Sequence, residues 1–232
     1  MEREEPMAAF GPKHASSYDE RWSKLAPLRD ALNLLIEAVF WGMRADARVL
    51  CVGAGTGSEL IHLAERFPGW RFVAVEPSAS MLDVCRRKVE ARGLAARCQL
   101  HEGYLESLPP GEAFDAATSL LVSQFILDRD ARVGFFREIA NRLLPGGRLV
   151  NADLPSGASP AEYRNLLDVW FRLTSVGEPS PEAFEKMRAA YERDVAVTPP
   201  GEVAEIIAAG GFEAPTQFLQ TGLIRAWHAR RT

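Results

Sequence analysis

Residues 49–60 read VLCVGAGTGSEL, and this stretch decides the fold. An apolar run leads into Gly53, Gly55 and Gly57, and the chain then continues into an amphipathic segment. Glycine permits a sharp turn and lets a ligand approach the main chain without meeting a Cβ atom. The first turn of the following helix adds free N–H groups and a partial positive charge. The pattern predicts a strand, a ligand-binding turn and a helix.

Short apolar strands and amphipathic helices alternate along most of the chain. The predicted strands are 47–53, 71–76, 96–103, 114–122 and 148–154, and the helices between them are 58–67, 78–93 and 130–144. This order is typical of parallel βαβ units with right-handed crossovers. Two final apolar runs, 214–221 and 223–231, are close enough to form an antiparallel hairpin. The predicted fold is α/β: a Rossmann-like doubly wound sheet of seven strands, mostly parallel with a C-terminal antiparallel hairpin.

Two segments interrupt the alternation. Residues 12–46 contain a polar aromatic stretch and a helix, and residues 155–198 contain two helices where a simple fold needs only one. In open α/β sheets, ligands bind at the carboxyl edge of the strands. We therefore predict one domain over 1–232, with an N-terminal lid at 12–46 and a helical cap at 155–198.

The composition restricts the class of protein. The 232 residues are 47 % hydrophobic and 25 % charged, with a net charge of −4 that does not attract nucleic acid or anionic membranes. No apolar run is long enough to span a bilayer, and the charged start MEREEPMAAF is unlike a secretory signal. The three cysteines lack metal-ligand spacing. These features predict a cytoplasmic protein without a metal, and they leave the oligomeric state open.

An acidic residue and a missing glycine narrow the choice of ligand. Glu76 ends the second predicted strand, 19 residues after Gly57. A carboxylate at that place can accept hydrogen bonds from the ribose hydroxyls of an adenosine. A dinucleotide fingerprint would need glycine at position 58, where Ser58 stands. A nicotinamide-dependent dehydrogenase is therefore the weakest of the alternatives.

Five motifs carry a resemblance to a known family. The frame VLCVGAGTG (49–57) resembles motif I of the class I S-adenosylmethionine-dependent methyltransferases. The later motifs of that family are similar, in the same order, to VAVEPSASML (73–82), EGYLESLP (102–109), FDAATSLLVSQFI (114–126) and LLPGGRLV (143–150). The resemblance covers about 47–154 and 198–231. It implies an enzyme that transfers a methyl group from S-adenosylmethionine to an acceptor. The helical cap and the absence of a nucleic-acid module or basic surface favour a small-molecule acceptor, methylated on oxygen or nitrogen.

The resemblance also implies which residues bind the cofactor. The methionine part would lie against Gly53, Ala54, Gly55 and Gly57. Glu76 would hold the ribose, and the adenine would lie between Pro77 and Met81 on one side and Tyr104 and Leu105 on the other. The sulfonium region would contact Ser119 and Leu120. The methionine tail would be closed over by Tyr18 and Arg21 of an N-terminal YDER segment.

Two positions depart from the family pattern. The family usually has an acid where Cys51 stands, and it often has Asp where Tyr104 follows Gly103. The first acid commonly orients the amino end of the cofactor, and the second commonly meets the adenine amine. A neutral thiol loses a charged hydrogen bond of roughly 1.5–3 kcal/mol, so we expect binding to persist but to weaken. Tyr104 still offers a hydroxyl and a ring face.

The acceptor side carries fewer signals. Gln124 and Phe125 follow the fourth predicted strand, where this fold presents residues to the acceptor. Methyl transfer mainly requires positioning of two partners, so a general base is not obligatory. His14 and His101 are the candidates, and no catalytic residue is assigned.

Two alternatives remain open. LVSQFI (121–126) and the tail QFLQTGLIRAWHARR (217–231) are similar to carboxy-S-adenosylmethionine synthases, which are linked to wobble-uridine modification of tRNA. The unusual Cys51 and Tyr104 also motivate a non-catalytic cofactor-binding or scaffold protein on the same fold.

Overall fold

A seven-stranded sheet forms the centre of the computed structural model, which describes residues 23–157, 159–175, 177 and 179–232. The strands are β1 (Arg48–Val52), β2 (Arg71–Glu76), β3 (Cys98–Glu102), β4 (Phe114–Leu120), β5 (Leu143–Asp153), β6 (Phe212–Thr221) and β7 (Ile224–Arg231). Their order across the sheet is β3-β2-β1-β4-β5-β7-β6. The first five strands are parallel, and β7 is antiparallel to both β5 and β6. The predicted sheet with its C-terminal hairpin is confirmed.

Seven α-helices accompany the sheet in the described part of the chain. They are α1 (Ala26–Phe40), α2 (Ser58–Arg66), α3 (Ala79–Ala91), α4 (Arg129–Arg142), α5 (Pro160–Thr174), α6 (Pro181–Asp194) and α7 (Pro200–Ala209). Side-chain caps fix several helix starts. Ser78 Oγ accepts a hydrogen bond from the Met81 N–H at 3.3 Å, and Asp128 Oδ1 accepts one from the Ala131 N–H at 2.7 Å.

The strand order reverses between β1 and β4. From β1 the chain proceeds outward through β2 to β3, and it then returns to β4 on the other side of β1. The carboxyl ends of these two strands therefore border the crevice where open α/β sheets bind ligands. Residues 53–57, the glycine loop, follow β1 directly into this crevice.

Two apolar cores sandwich the sheet. Val49 and Cys51 of β1 face a core formed with α1, α2 and α3, whereas Leu50 and Val52 face one formed with α4 and α7. The whole strand is thus buried on both sides, which explains why its sequence is continuously apolar instead of alternating.

The junction between α4 and β5 differs from the prediction. The helix ends at Arg142 and β5 begins at Leu143, so the Pro-Gly-Gly sequence at 145–147 lies inside the strand and does not separate the two elements. Leu143 pairs with Phe114, and the register then shifts before Arg148 pairs with Ala116. Pairing with β4 continues the strand through Pro-Gly-Gly, a sequence that usually ends a helix. The additional residues between the two paired positions form a bulge.

Segment 155–198 contains the two predicted helices, α5 and α6. Leu167, Trp170 and Phe171 of α5 are buried in the first core together with Leu154, which follows β5, and Leu223, in the β6–β7 turn. The helix therefore packs beside the carboxyl end of β5. In the N-terminal segment, α1 packs on the sheet face, and residues 12–22, with His14, Tyr18 and Arg21, lie outside the described residues. The lid and cap roles stay predictions.

Candidate functional site

The glycine loop is hydrogen-bonded to the neighbouring strand β2. The N–H groups of Gly53 and Ala54 both donate to the Val75 carbonyl oxygen, at 2.8 and 3.1 Å. Gly53, Gly55 and Gly57 have φ values of +68°, +55° and +79°, in the left-handed region that favours glycine. The loop therefore holds a shape that ordinary residues adopt only at a cost.

The space around each glycine shows which side of the loop is open. A Cβ atom on Gly53 would lie 2.4 Å from Val122 Cγ2, and one on Gly57 would lie 2.5 Å from Cys85 Sγ. A Cβ atom on Gly55 would meet only Met81 Cε, at 3.6 Å. The two outer glycines are required by packing within the protein, whereas the middle of the loop leaves room for a ligand.

Glu76 links the glycine loop to the start of α3. Its Oε2 atom accepts a hydrogen bond from the Gly55 N–H at 2.9 Å, and its Oε1 atom accepts one from the Ser78 N–H, also at 2.9 Å. The residue is only 8 % exposed. Burial raises the pKa of the carboxyl, and the hydrogen bonds from Ser78 and Gly55 oppose that rise. Each oxygen keeps a further acceptor position, so the carboxylate suits the hydroxyl donors of a ribose.

The predicted adenine-binding residues lie in different environments. Met81 is buried near Gly55, and Pro77 is half-buried. Tyr104 is 40 % exposed, so its ring is accessible, whereas Leu105 is buried in the core on the α4 side. Leu105 therefore packs mainly inside the protein. His101, a candidate base, contacts Ser107 Oγ at 2.8 Å at the β3 edge of the sheet.

Cys51 lies at the position where the family usually has an acid. The side chain is completely buried, and burial, together with the charge of Glu59, raises the pKa of its thiol well above the ordinary value. The thiol is neutral at physiological pH, as the sequence indicates.

Glu59 is a second buried acid that sequence reasoning missed. It lies in the first turn of α2, directly after the glycine loop, and is 8 % exposed. Burial raises the pKa of this carboxyl to about 7, and the nearby charge of Glu76 adds to the rise. A signal was present in the sequence: Glu59 stands four residues before the buried Leu63, and such residues share one helix face.

Comparisons with known proteins agree with this geometry. Residues 49–147 match a family described as a methyltransferase domain. Demethylmenaquinone methyltransferase from Thermus thermophilus is 32 % identical over 218 residues, which cover 87 % of this chain and 96 % of that protein. The chain belongs to the class I S-adenosylmethionine-dependent methyltransferases. The protein of the same name from Deinococcus radiodurans is 30 % identical to this methyltransferase over 224 residues, 90 % of each chain.

Solved structures share the fold of this methyltransferase. A candidate O-methyltransferase from Nostoc punctiforme superimposes with a TM-score of 0.68 at 18 % identity. The match covers 94 % of this chain and spans 59 % of the length of that longer protein. The predicted enzyme class, S-adenosylmethionine-dependent methyl transfer to a small molecule, is confirmed. The carboxy-S-adenosylmethionine synthase alternative is not favoured, because relatives that match nearly the whole chain are methyltransferases by name.

The glycine loop and Glu76 fit the cofactor of this family. The open side of Gly55 would accept a ligand atom close to the main chain, and the fixed carboxylate of Glu76 presents acceptors beside it. No three or more His, Cys, Asp or Glu side chains come together as a metal site within the described ranges. Among the helices described, none is both long and apolar enough to cross a bilayer.

A buried ionic network joins the turn after β4 to α4 and β5. Asp153 Oδ2, at the end of β5, accepts hydrogen bonds from Arg132 Nη2 at 2.5 Å, Ser123 Oγ at 2.6 Å and Asn151 Nδ2 at 3.1 Å. Arg132 Nε also donates to Ser123 Oγ at 3.2 Å. Ser123 belongs to the turn that follows β4, so the network fixes this turn to β5 and α4. Sequence reasoning missed Arg132 and Asp153.

Gln124 connects the same turn to the segment that contains the cap helices. Its side-chain oxygen accepts a hydrogen bond from the Leu154 N–H at 3.1 Å, and its backbone oxygen accepts one from the Ala196 N–H at 2.8 Å. Gln124 is buried and Phe125 is half-buried. The structure thus gives Gln124 a supporting role, while its predicted contact with the acceptor stays a prediction.

Ser119 and Leu120 end β4 beside the crevice. Ser119 pairs with Val52 of β1 and Asn151 of β5, and its hydroxyl is fully buried. Across the described part of the chain, Ser119 Oγ, Asn151 Oδ1 and Asp153 Oδ1 have no hydrogen-bond partner. Because buried polar atoms rarely stay unpaired, these oxygens mark the carboxyl end of β4 and β5 as a place that attracts a hydrogen-bond donor.

Proposed function

We propose that this methyltransferase binds S-adenosylmethionine in the crevice between β1 and β4 and methylates a quinol-type aromatic acceptor. The cofactor half of the proposal rests on the Glu76 carboxylate, which is held by the Gly55 and Ser78 N–H groups at the reversal of strand order. The acceptor half rests on the two relatives named demethylmenaquinone methyltransferase, which match this chain over nearly its whole length.

The cofactor would be bound by main chain and carboxylate together. Glu76 would accept hydrogen bonds from the ribose hydroxyls, and the loop 53–57 would lie against the methionine part. Met81 and Pro77 would cover one adenine face, and the accessible ring of Tyr104 would cover the other. Aromatic and thioether side chains are suited to flat, polarisable rings.

The reaction itself needs positioning more than acid–base chemistry. When bound, S-adenosylmethionine supplies a methyl group on a positively charged sulfur. The bond from the acceptor to the methyl carbon would form as the carbon–sulfur bond breaks, with the bonding pair remaining on sulfur and a proton leaving the acceptor. The turn after β4, fixed by Arg132 and Asp153, would hold the acceptor in line, which is the main source of rate in such a transfer.

Apolar side chains near that turn fit an aromatic acceptor. Leu121, Val122, Phe125 and Ile126 follow β4 and are each half-buried. A quinol ring is apolar on its faces and carries hydroxyl groups at its edge. Since ligand pockets combine mostly apolar walls with a few polar groups, this surface together with the buried oxygens near Ser119 suits such a ring.

Calorimetric titration with S-adenosylhomocysteine tests the cofactor half. We expect binding by the wild-type chain and weakening of about tenfold or more in Glu76→Gln, because the ribose would lose a charged acceptor. Glu65→Gln is the matched control, since Glu65 lies on α2 with its side chain 55 % exposed in an ion pair with Arg92. If Glu76→Gln and the wild type bound S-adenosylhomocysteine with equal affinity, the assignment of Glu76 to the ribose would be wrong.

Methyl transfer to a demethylated 1,4-naphthoquinol tests the acceptor half. The expected product is heavier by one methyl group in place of a hydrogen, and its NMR spectrum identifies a methylated oxygen or ring carbon. Binding of S-adenosylhomocysteine without transfer to any quinol or phenol would rule out this acceptor class and keep the cofactor assignment.

A further inference from the structure

The glycine loop lacks the usual charge at Cys51, yet a buried carboxylate follows the loop two residues after Gly57. Glu59 follows the loop in the first turn of α2 and is buried. Its charge acts on the thiols of Cys51 and Cys85, the latter packed directly behind Gly57. Glu59 therefore adjoins the glycine loop, and its charge reaches the thiol of Cys51 in β1.

No basic side chain within the described ranges forms an ion pair with Glu59. Lys88 is near enough to favour the charged form, but its ammonium group donates to the Thr56 carbonyl oxygen at 3.0 Å and to Thr56 Oγ1 at 3.1 Å. A buried carboxylate without a cation is unfavourable, so this one is suited to a cation brought by a ligand.

We propose that Glu59 provides the negative charge that Cys51 lacks and binds the ammonium group of the cofactor's amino-acid tail. This inference rests on the proposed function. The N–H groups of Glu59 and Leu60 favour the charged form of the Glu59 carboxyl, and that charge would attract the positive end of the tail. The missing acid of β1 has thus been replaced from the next helix, eight residues later in the chain.

Two ligands distinguish this role from simple support of the loop. S-Adenosylhomocysteine carries the amino-acid tail, whereas 5′-methylthioadenosine has the same adenosine and sulfur without it. We expect Glu59→Gln to lower the affinity for S-adenosylhomocysteine by about 10- to 100-fold, the range for loss of a charged contact, and to leave the affinity for 5′-methylthioadenosine unchanged.

A second substitution tests whether a carboxylate at position 51 of β1 can replace that of Glu59. Cys51→Asp in the Glu59→Gln background is expected to recover most of the lost affinity for S-adenosylhomocysteine. Circular dichroism and urea unfolding of each variant confirm that the binding data refer to folded protein.

Each outcome has one meaning. If Glu59→Gln lowered the affinity for both ligands equally, Glu59 would only support the loop. If the affinity for both ligands stayed unchanged, Glu59 would have no role in binding. Either result overturns the inference. A wild-type chain that binds neither ligand would instead overturn the proposed function.

Discussion

Arg132 and Asp153 form an ion pair at 2.5 Å in which the two side chains are 2 % and 1 % exposed. We predict that Arg132→Met lowers the free energy of unfolding by about 3–5 kcal/mol, because it leaves the Asp153 carboxylate buried without its cation. Urea unfolding measures the change. Arg129→Met is the control, because Arg129 pairs with Glu202 at the surface, and it should cost no more than about 1 kcal/mol.

The double variant Arg132→Met/Asp153→Asn extends this prediction. Removing the charge from Asp153 as well should recover part of the loss, since the orphaned carboxylate is its main cause. If Arg132→Met were no more harmful than Arg129→Met, the network would not hold the turn after β4.

Gly57→Ala tests the packing of the glycine loop. The φ value of +79° is unfavourable for alanine, and its Cβ would lie 2.5 Å from Cys85 Sγ, so we expect a loss of about 2–4 kcal/mol in unfolding free energy. Gly42→Ala is a matched control, because Gly42 has φ +77° with nothing within 4 Å of an added Cβ. The unfolding free energy of that variant should fall by only about 1–2 kcal/mol. Equal losses would show that the contact with Cys85 carries no cost.

The buried carboxyl of Glu59 makes stability depend on pH. Its pKa rises from 4.5 to about 7 on folding, so the folded state binds more protons than the unfolded state between these values. Stability therefore falls as pH rises from 4.5 to about 7, by at most about 3 kcal/mol, and stays lower above that range. Glu76 strengthens the effect and Lys88 opposes it.

Glu59→Gln removes this proton linkage. Unfolding by urea at pH 5 and pH 8 should show that the variant gains stability relative to the wild type at the higher pH. Burial, together with the charge of the same carboxyl, raises the pKa of the Cys51 and Cys85 thiols, which keeps both protonated throughout this range. A difference between variant and wild type that does not change with pH would contradict the raised pKa.

The three cysteines should react slowly in the native protein. Cys51 and Cys85 are buried and Cys98 is partly buried, and burial raises the pKa of all three thiols. With a chromogenic disulfide reagent at pH 8, we expect no fast-reacting thiol before denaturation and three after it. A rapidly labelled thiol in the folded protein would contradict this burial.

The strands and the glycine loop were predictable because each has a local cause. Fully buried parallel strands read as apolar runs, and three left-handed residues in five positions require glycine. The position of Glu76 beside the glycine loop was predictable as well, since the end of β2 lies beside the end of β1 in any sheet with this connection.

The two buried ionic sites were not predicted, because helix periodicity alone assigns charged residues to the solvent side. Glu59 and Arg132 each lie four residues before a buried apolar residue, Leu63 and Phe136, and so share an inward face. Only the neighbours brought by the fold decide how a charge fares there. Asp153 pairs with Arg132, whereas the charge of Lys88 opposes the rise in the Glu59 pKa that burial and the like charge of Glu76 cause.

Glu76 gives the binding site a thermodynamic property of its own. Because both of its oxygens already receive backbone N–H groups, the torsions of this side chain are fixed when the protein folds. A ligand hydroxyl then meets an immobile acceptor, and association avoids the loss of roughly 0.5–1.5 kcal/mol that ordering a free side chain would cause. The conformational entropy of this side chain is thus lost when the protein folds, before any ligand binds.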